Sequence, residues 1–168
     1  MWTAAARCAR IALVLVLVAA LSAASCSGGT GPASLPRARL DIRTQTEVVA
    51  IRVEVAKTAE ARRVGLMGRR TLAPDAGIAF LFPGSTDQPF WMKDTFVPLS
   101  IAFWDRNRRI VAVLDMEPCR ADPCPLYRSP APYVGAVEVN RGFFVSHGIG
   151  VGDAVSVVPA SITAGPTA

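Results

Sequence analysis

Hydrophobic and polar positions alternate along most of this chain, with the period of a β-strand rather than a helix. Val49, Ile51, Val53 and Val55 alternate with Ala50, Arg52 and Glu54, predicting a half-buried strand with a polar outer face. Ile78 to Phe82 (I-A-F-L-F) is a continuous apolar run and predicts a short buried strand closed by Pro83-Gly84. Leu99, Ile101 and Phe103 alternate with Ser100, Ala102 and Trp104. Val97-Pro98 separates that strand from a shorter one at Phe90 to Met92, because proline cannot donate to a ladder. Asp105 to Arg108 (D-R-N-R) reads as a hairpin turn into Arg109 to Asp115, which is apolar on both faces and therefore predicted to lie centrally. Tyr133 to Val139 and Ala154 to Val158 are further strands, and Arg141 to His147 reads as a helical turn.

One segment departs from this period. Thr58 can cap a helix, Glu60 favours its positive N-terminal end, and Val64 with Met67 gives an apolar side. A short helix is predicted from Ala59 to about Met67, weakened by Gly65 and ended by Gly68. Met116 to Pro132 holds five of the thirteen prolines and reads as an irregular excursion. The predicted fold class is α+β, mainly β. It is a compact single domain with a largely antiparallel sheet, able to curl toward a barrel, and one short helix.

The first residues have a different character. Arg7 and Arg10 precede the uncharged run Ile11 to Leu21, too short to span a bilayer, and Ser22 to Ser25 are small residues leading to Cys26. This segment resembles the lipobox of bacterial lipoproteins, which implies removal of residues 1–25 and lipidation of Cys26. Residues 26–39, rich in Gly, Pro and Ser, are expected to form a flexible tether. The expected folded domain is 40–160, and 161–168 reads as a disordered tail. The expected location is exported, on the outer face of the cytoplasmic membrane or another envelope membrane. The expected partner there is the membrane itself, through the lipid.

The whole chain has 18 basic and 13 acidic side chains. Without residues 1–25 the excess falls to a mild, scattered +3, which gives no basis for nucleic-acid binding. Cys119 and Cys124, in C-R-A-D-P-C, are an even pair in a chain of exported type and predict a disulfide. Four intervening residues do not suit a thioredoxin-like centre, and a zinc site would need a second pair.

Several phrases occur in a fixed order: T-A-E-A-R-R-V-G-L-M-G-R from Thr58, G-I-A-F-L-F from Gly77, F-W-M-K-D-T from Phe90 and P-L-S-I from Pro98. After them stand M-E-P-C from Met116, Tyr127, V-E-V-N from Val137, Gly142 and G-I-G-V-G-D from Gly148. Together these resemble the domain of unknown function 192 family, small bacterial and archaeal domains that are often exported. The resemblance runs from about Val49 to Val158 and implies a compact, mainly-β fold. Two positions depart from it: Asp94 stands where asparagine is common, and Ser100 where aspartate is common. It implies no catalytic residue.

The ligand-binding candidates are Arg62, Arg69, Trp91, Lys93, Asp94, Glu117 and Tyr127. If their regions converge, an aromatic floor with Lys, Arg and Glu around it suits a sugar or small anion. The competing reading is a structural ion pair of Arg62 or Lys93 with Asp94 or Glu117, over a core Trp91. No spacing marks a reaction class, so the sequence leans away from an enzyme. Met67, Met92 and Met116 with His147 would be a soft copper set only if they met, and methionines commonly fill irregular cores. No metal or cofactor is predicted. The expected function is a membrane-tethered cell-envelope binding or interaction module for a small polar ligand or an envelope protein. The alternative is a small envelope enzyme acting on carbohydrate or cell-wall material through Lys93 with Asp94 or Glu117.

Overall fold

A computed structural model of the chain describes residues 34–159. The predicted signal segment, the lipidation site Cys26 and the predicted tail from 161 lie outside the described residues.

The strands are β1 (Arg37–Arg43), β2 (Val48–Ala56), β3 (Ala76–Thr86), β4 (Phe90–Trp91), β5 (Leu99–Trp104), β6 (Ile110–Met116), β7 (Leu126–Tyr127), β8 (Tyr133–Asn140) and β9 (Ala154–Pro159). The helices are α1 (Ala59–Val64) and α2 (Phe143–Ser146). Seven strands form one sheet in the order β6-β5-β8-β3-β2-β1-β9, and β4 pairs with β7 in a small ribbon. Only β2 and β3 run parallel, with α1 in the connection between them; every other pairing is antiparallel. The sheet curls but does not close. Its edge strands approach through one bridge, Arg109 to Ala154, flanked by backbone hydrogen bonds from Ile110 to Asp153 (2.9 Å) and from Gly152 to Ile110 (2.8 Å).

Alternation decides which side chains fill which face. Leu40, Ile42, Ile51, Val53, Ala79, Val137, Trp104 and Val155 build one core, joined by Phe143 and Phe144 of α2. Ile78, Phe80, Leu99, Ile101, Phe103, Ala136 and Met116 build a second core on the opposite face, covered by Leu66, Met92 and Tyr133. β5 is buried at all six positions because it lies between two strands and between two cores.

Four expectations are corrected. β1 starts at Arg37, inside the predicted tether: Ala38, Leu40 and Ile42 point to the core while Arg37, Arg39 and Arg43 stay exposed. α1 stops at Val64, because Gly65 at φ +50° leaves helical geometry three residues before the expected end. Its start is as predicted: Thr58 Oγ1 accepts the Ala61 N–H at 3.1 Å. β3 continues past Pro83-Gly84 to Thr86, with its register against β8 shifted between Leu81 and Thr86. β6 is an edge strand, not a central one. Apolarity on both its faces reports that both faces of the sheet are covered, which says nothing about how many neighbours a strand has in the sheet plane.

Candidate functional site

The stretch from Phe90 to Phe96 is held against the second core by contacts of different kinds. Phe90 points inward, edge-on to Phe80 at 4.9 Å and to Phe103 at 5.5 Å between ring centroids. Trp91, next in an extended strand, therefore points outward and is 46% exposed. Met92 is buried, and its carbonyl accepts the Thr95 N–H at 3.2 Å and the Cys119 N–H at 3.4 Å. The Lys93 ammonium lies 3.0 and 3.2 Å from the two carboxylate oxygens of Asp122, a residue inside the loop closed by the Cys119–Cys124 disulfide. That hydrogen bond and charge raise the Lys93 pKa and keep the amine protonated.

Asp94 does not pair with Lys93. Its backbone adopts φ +54°, a left-handed conformation, and its carbonyl accepts the Gly68 N–H at 2.8 Å. Asparagine tolerates that conformation well, which accounts physically for its frequency at this position in the resemblance. The requirement here is on the backbone. Arg69 is joined to the same turn, its carbonyl accepting the Phe96 N–H at 3.2 Å, while its guanidinium donates to Glu54 at 2.5 Å.

Arg62 turns inward from α1. Its guanidinium donates to the carbonyls of Lys57 (2.5 Å) and Leu81 (2.9 Å) and lies 4.8 Å from the centroid of the Phe82 ring. Arg62 thus ties the helix to β3. Beside it, Arg62, Arg63, Phe82, Gln88, Phe90 and Trp91 border a cleft of about 290 Å³. The rear of this region is fixed by Tyr133, whose hydroxyl donates to the Gln88 carbonyl at 2.6 Å. Burial, then the Asp87 charge, pushes the Tyr133 pKa up to about 12.

Glu117 and Tyr127 hydrogen-bond within a further group, joined to β4 where Tyr127 pairs with Phe90. The Tyr127 hydroxyl accepts the Glu117 N–H at 3.0 Å, and the Glu117 carboxylate pairs with Arg141. Arg141 also approaches Asp115 at 3.7 Å, and Asp115 accepts the hydroxyl of buried Ser100 at 2.5 Å. Ser100 in turn accepts the Gly142 N–H at 2.9 Å. The hydroxyl therefore serves β5, β6 and the start of α2 together. These ion pairs are largely exposed, so each adds little stability.

The seven sequence candidates thus occupy four places: the cleft (Arg62, Trp91), the disulfide loop (Lys93), the Gly68 turn (Asp94, Arg69) and the Arg141 cluster (Glu117, Tyr127). The methionine and histidine set does not assemble. Met92 and Met116 lie in the second core, whereas His147 stacks on Phe143 of the first at 4.2 Å and hydrogen-bonds its carbonyl at 2.8 Å.

Glu138 was not among the candidates. It is 4% exposed, on the second-core face of β8, in register between Ile78 and Ile101. Desolvation alone pushes its pKa up to about 8. The one sequence signal was an acid inside V-E-V-N, between two valines.

The profile of the DUF192 family, described as Uncharacterized ACR, matches residues 40–157. The chain belongs to the DUF192 family. Two solved structures are similar to this DUF192 chain at 28% identity. One, described as a candidate transcription regulator from Sinorhizobium meliloti 1021, has a TM-score of 0.70 and covers 76% of this chain and 98% of its own. The other, a protein of unknown function from Novosphingobium aromaticivorans DSM 12444, has a TM-score of 0.66 and covers 75% of this chain and 89% of its own. No curated protein matches the chain.

Proposed function

We propose that this protein is a membrane-tethered binding or interaction module of the cell envelope, held by a lipid on Cys26, with a recognition surface for a sugar or small anionic ligand. The observation that carries the ligand half is the cleft beside α1, where the outward face of Trp91 stands next to Arg62, Arg63 and Gln88. A half-exposed indole offers a flat apolar face for a sugar ring, and the guanidinium and amide groups supply hydrogen bonds around it. Lys93 is held protonated by Asp122, and Glu117 is engaged by Arg141, so neither is set up as a general base. That favours recognition over an envelope enzyme acting on carbohydrate or cell-wall material. The tether half rests on the small residues before Cys26 and the Gly/Ser-rich segment after it.

A thermal-shift panel of monosaccharides, amino sugars and small organic anions tests the ligand half, with Trp91→Ala alongside the parent. The expected result is a ligand that raises the parent's midpoint and leaves Trp91→Ala unmoved. A ligand that stabilises both proteins equally, or a panel with no hit, removes the cleft from consideration. Cys26→Ala should release the protein from the membrane fraction; unchanged fractionation refutes the tether.

A further inference from the structure

At one end of the curled sheet, where β1, β8 and β9 meet the ends of β2, β3 and β5, the described residues leave a hollow beside the first core. A cavity of about 430 Å³ opens there, a size within the small-molecule range. Its floor is apolar: Val55, Trp104, Val134, Val155 and Val157 line it. The Trp104 ring packs directly on Gly135, which has no side chain; a Cβ there would sit 2.2 Å from Cζ2 of the indole.

The rim has one sign of charge. Arg37, Lys57, Arg106 and Arg108 border the cavity, and no carboxylate does. Among the described residues none of these four forms an ion pair, although Arg39, Arg52, Arg63, Arg69, Lys93 and Arg141 all do. All thirteen acidic residues lie within 34–159, so no Asp or Glu side chain from either flanking segment could neutralise the rim. Arg108 adds an independent observation. It holds φ +58° in the hairpin turn, a conformation that glycine or asparagine would adopt at lower cost. A cation stands where the backbone favours another residue.

We propose that this mouth binds a small amphiphile with one anionic head, a carboxylate or phosphate, its apolar tail lying on Trp104 and the valines and its head among the four cations. Like charges gathered at the edge of an apolar cavity repel one another, and an anion relieves that repulsion where a neutral molecule cannot. The site is separate from the Trp91 cleft, and its test does not depend on that reading.

Titration of the purified protein with sodium decanoate, followed by the Trp104 indole resonance, is the direct test. Decanol supplies the tail alone, acetate and inorganic phosphate the heads alone, and decyl phosphate the other head. Decanoate or decyl phosphate should bind at least about tenfold more tightly than decanol, with acetate and phosphate weaker still. Arg108→Gly should weaken that binding severalfold while leaving the unfolding midpoint equal or higher, because glycine suits the turn; lost binding in a better-folded variant cannot be ascribed to misfolding. Equal affinity for decanol and decanoate overturns the proposal, as does the absence of any Trp104 response. Duplex DNA that binds at this rim while decanoate does not would make the cations a polyanion surface and also overturn it.

Discussion

Glu138 allows a prediction in which sign, size and refutation all follow from one side chain. Its carboxyl lies on the second-core face between Ile78 and Ile101, in β8, an interior strand of the sheet. Burial holds the proton on the folded protein up to about pH 8, whereas in the unfolded chain it leaves near the ordinary value of 4.5. Between those values the unfolded state binds fewer protons than the native state, so stability falls as pH rises through the window and levels off above it. At 1.36 kcal/mol per unit, the window corresponds to roughly 5 kcal/mol. That is a large part of the 5–15 kcal/mol that typically separates folded from unfolded domains. Glu138→Gln keeps the shape and a polar tip but cannot ionise. Guanidinium chloride unfolding of both proteins, with the disulfide intact, at pH 4, 6 and 9 isolates this group, because every other titration is common to the two. The stability gap should be small at pH 4 and widen in favour of the glutamine variant by several kcal/mol at pH 9. A gap that does not change with pH would mean the carboxylate is ionised and solvated or paired in the native state, and the burial argument would fail.

Three further predictions concern positions where backbone or covalent geometry decides. Gly135→Ala places a methyl group inside the Trp104 ring and should cost about 1–3 kcal/mol by overpacking, read from the unfolding midpoint; an unchanged midpoint would show that the indole has room to move. Asp94→Ala should lose roughly 1 kcal/mol because alanine lacks the short polar side chain that lets Asp and Asn adopt φ +54°, whereas Asp94→Asn should hold or slightly gain stability. Equal losses in both would instead assign the effect to the charge. Replacing Cys119 and Cys124 with serine opens a small loop and should cost about 2 kcal/mol by chain entropy, while thiol labelling of the native parent should find both blocked. Labelling of both without reductant would refute the bond.

Strand period was legible because each strand carries its pattern locally: Val49 to Val55 and Leu99 to Trp104 state their own alternation, and Thr58 states its own cap. β1 was harder to read, as Arg37, Ala38 and Arg39 follow a Gly/Pro/Ser segment and supply only one apolar position before Leu40. The site was less legible than the fold. Lys93 and Asp94 are adjacent in sequence, yet one reaches 29 residues along the chain to Asp122 and the other is held by its backbone to Gly68. Adjacent residues in a turn point in different directions, and their partners are set by what the turn packs against.

By itself the sequence determined the strand count to within the first strand and the short ribbon strand β7, the helix start, the cysteine pair and the family. Those features depend on residue spacing within one segment. Only the tertiary structure decided that β6 lies at an edge, that V-E-V-N hides its acid, and that four cations without carboxylate partners gather around Trp104. Each depends on which segments pair and which faces are covered, and long-range sheet registry sets both.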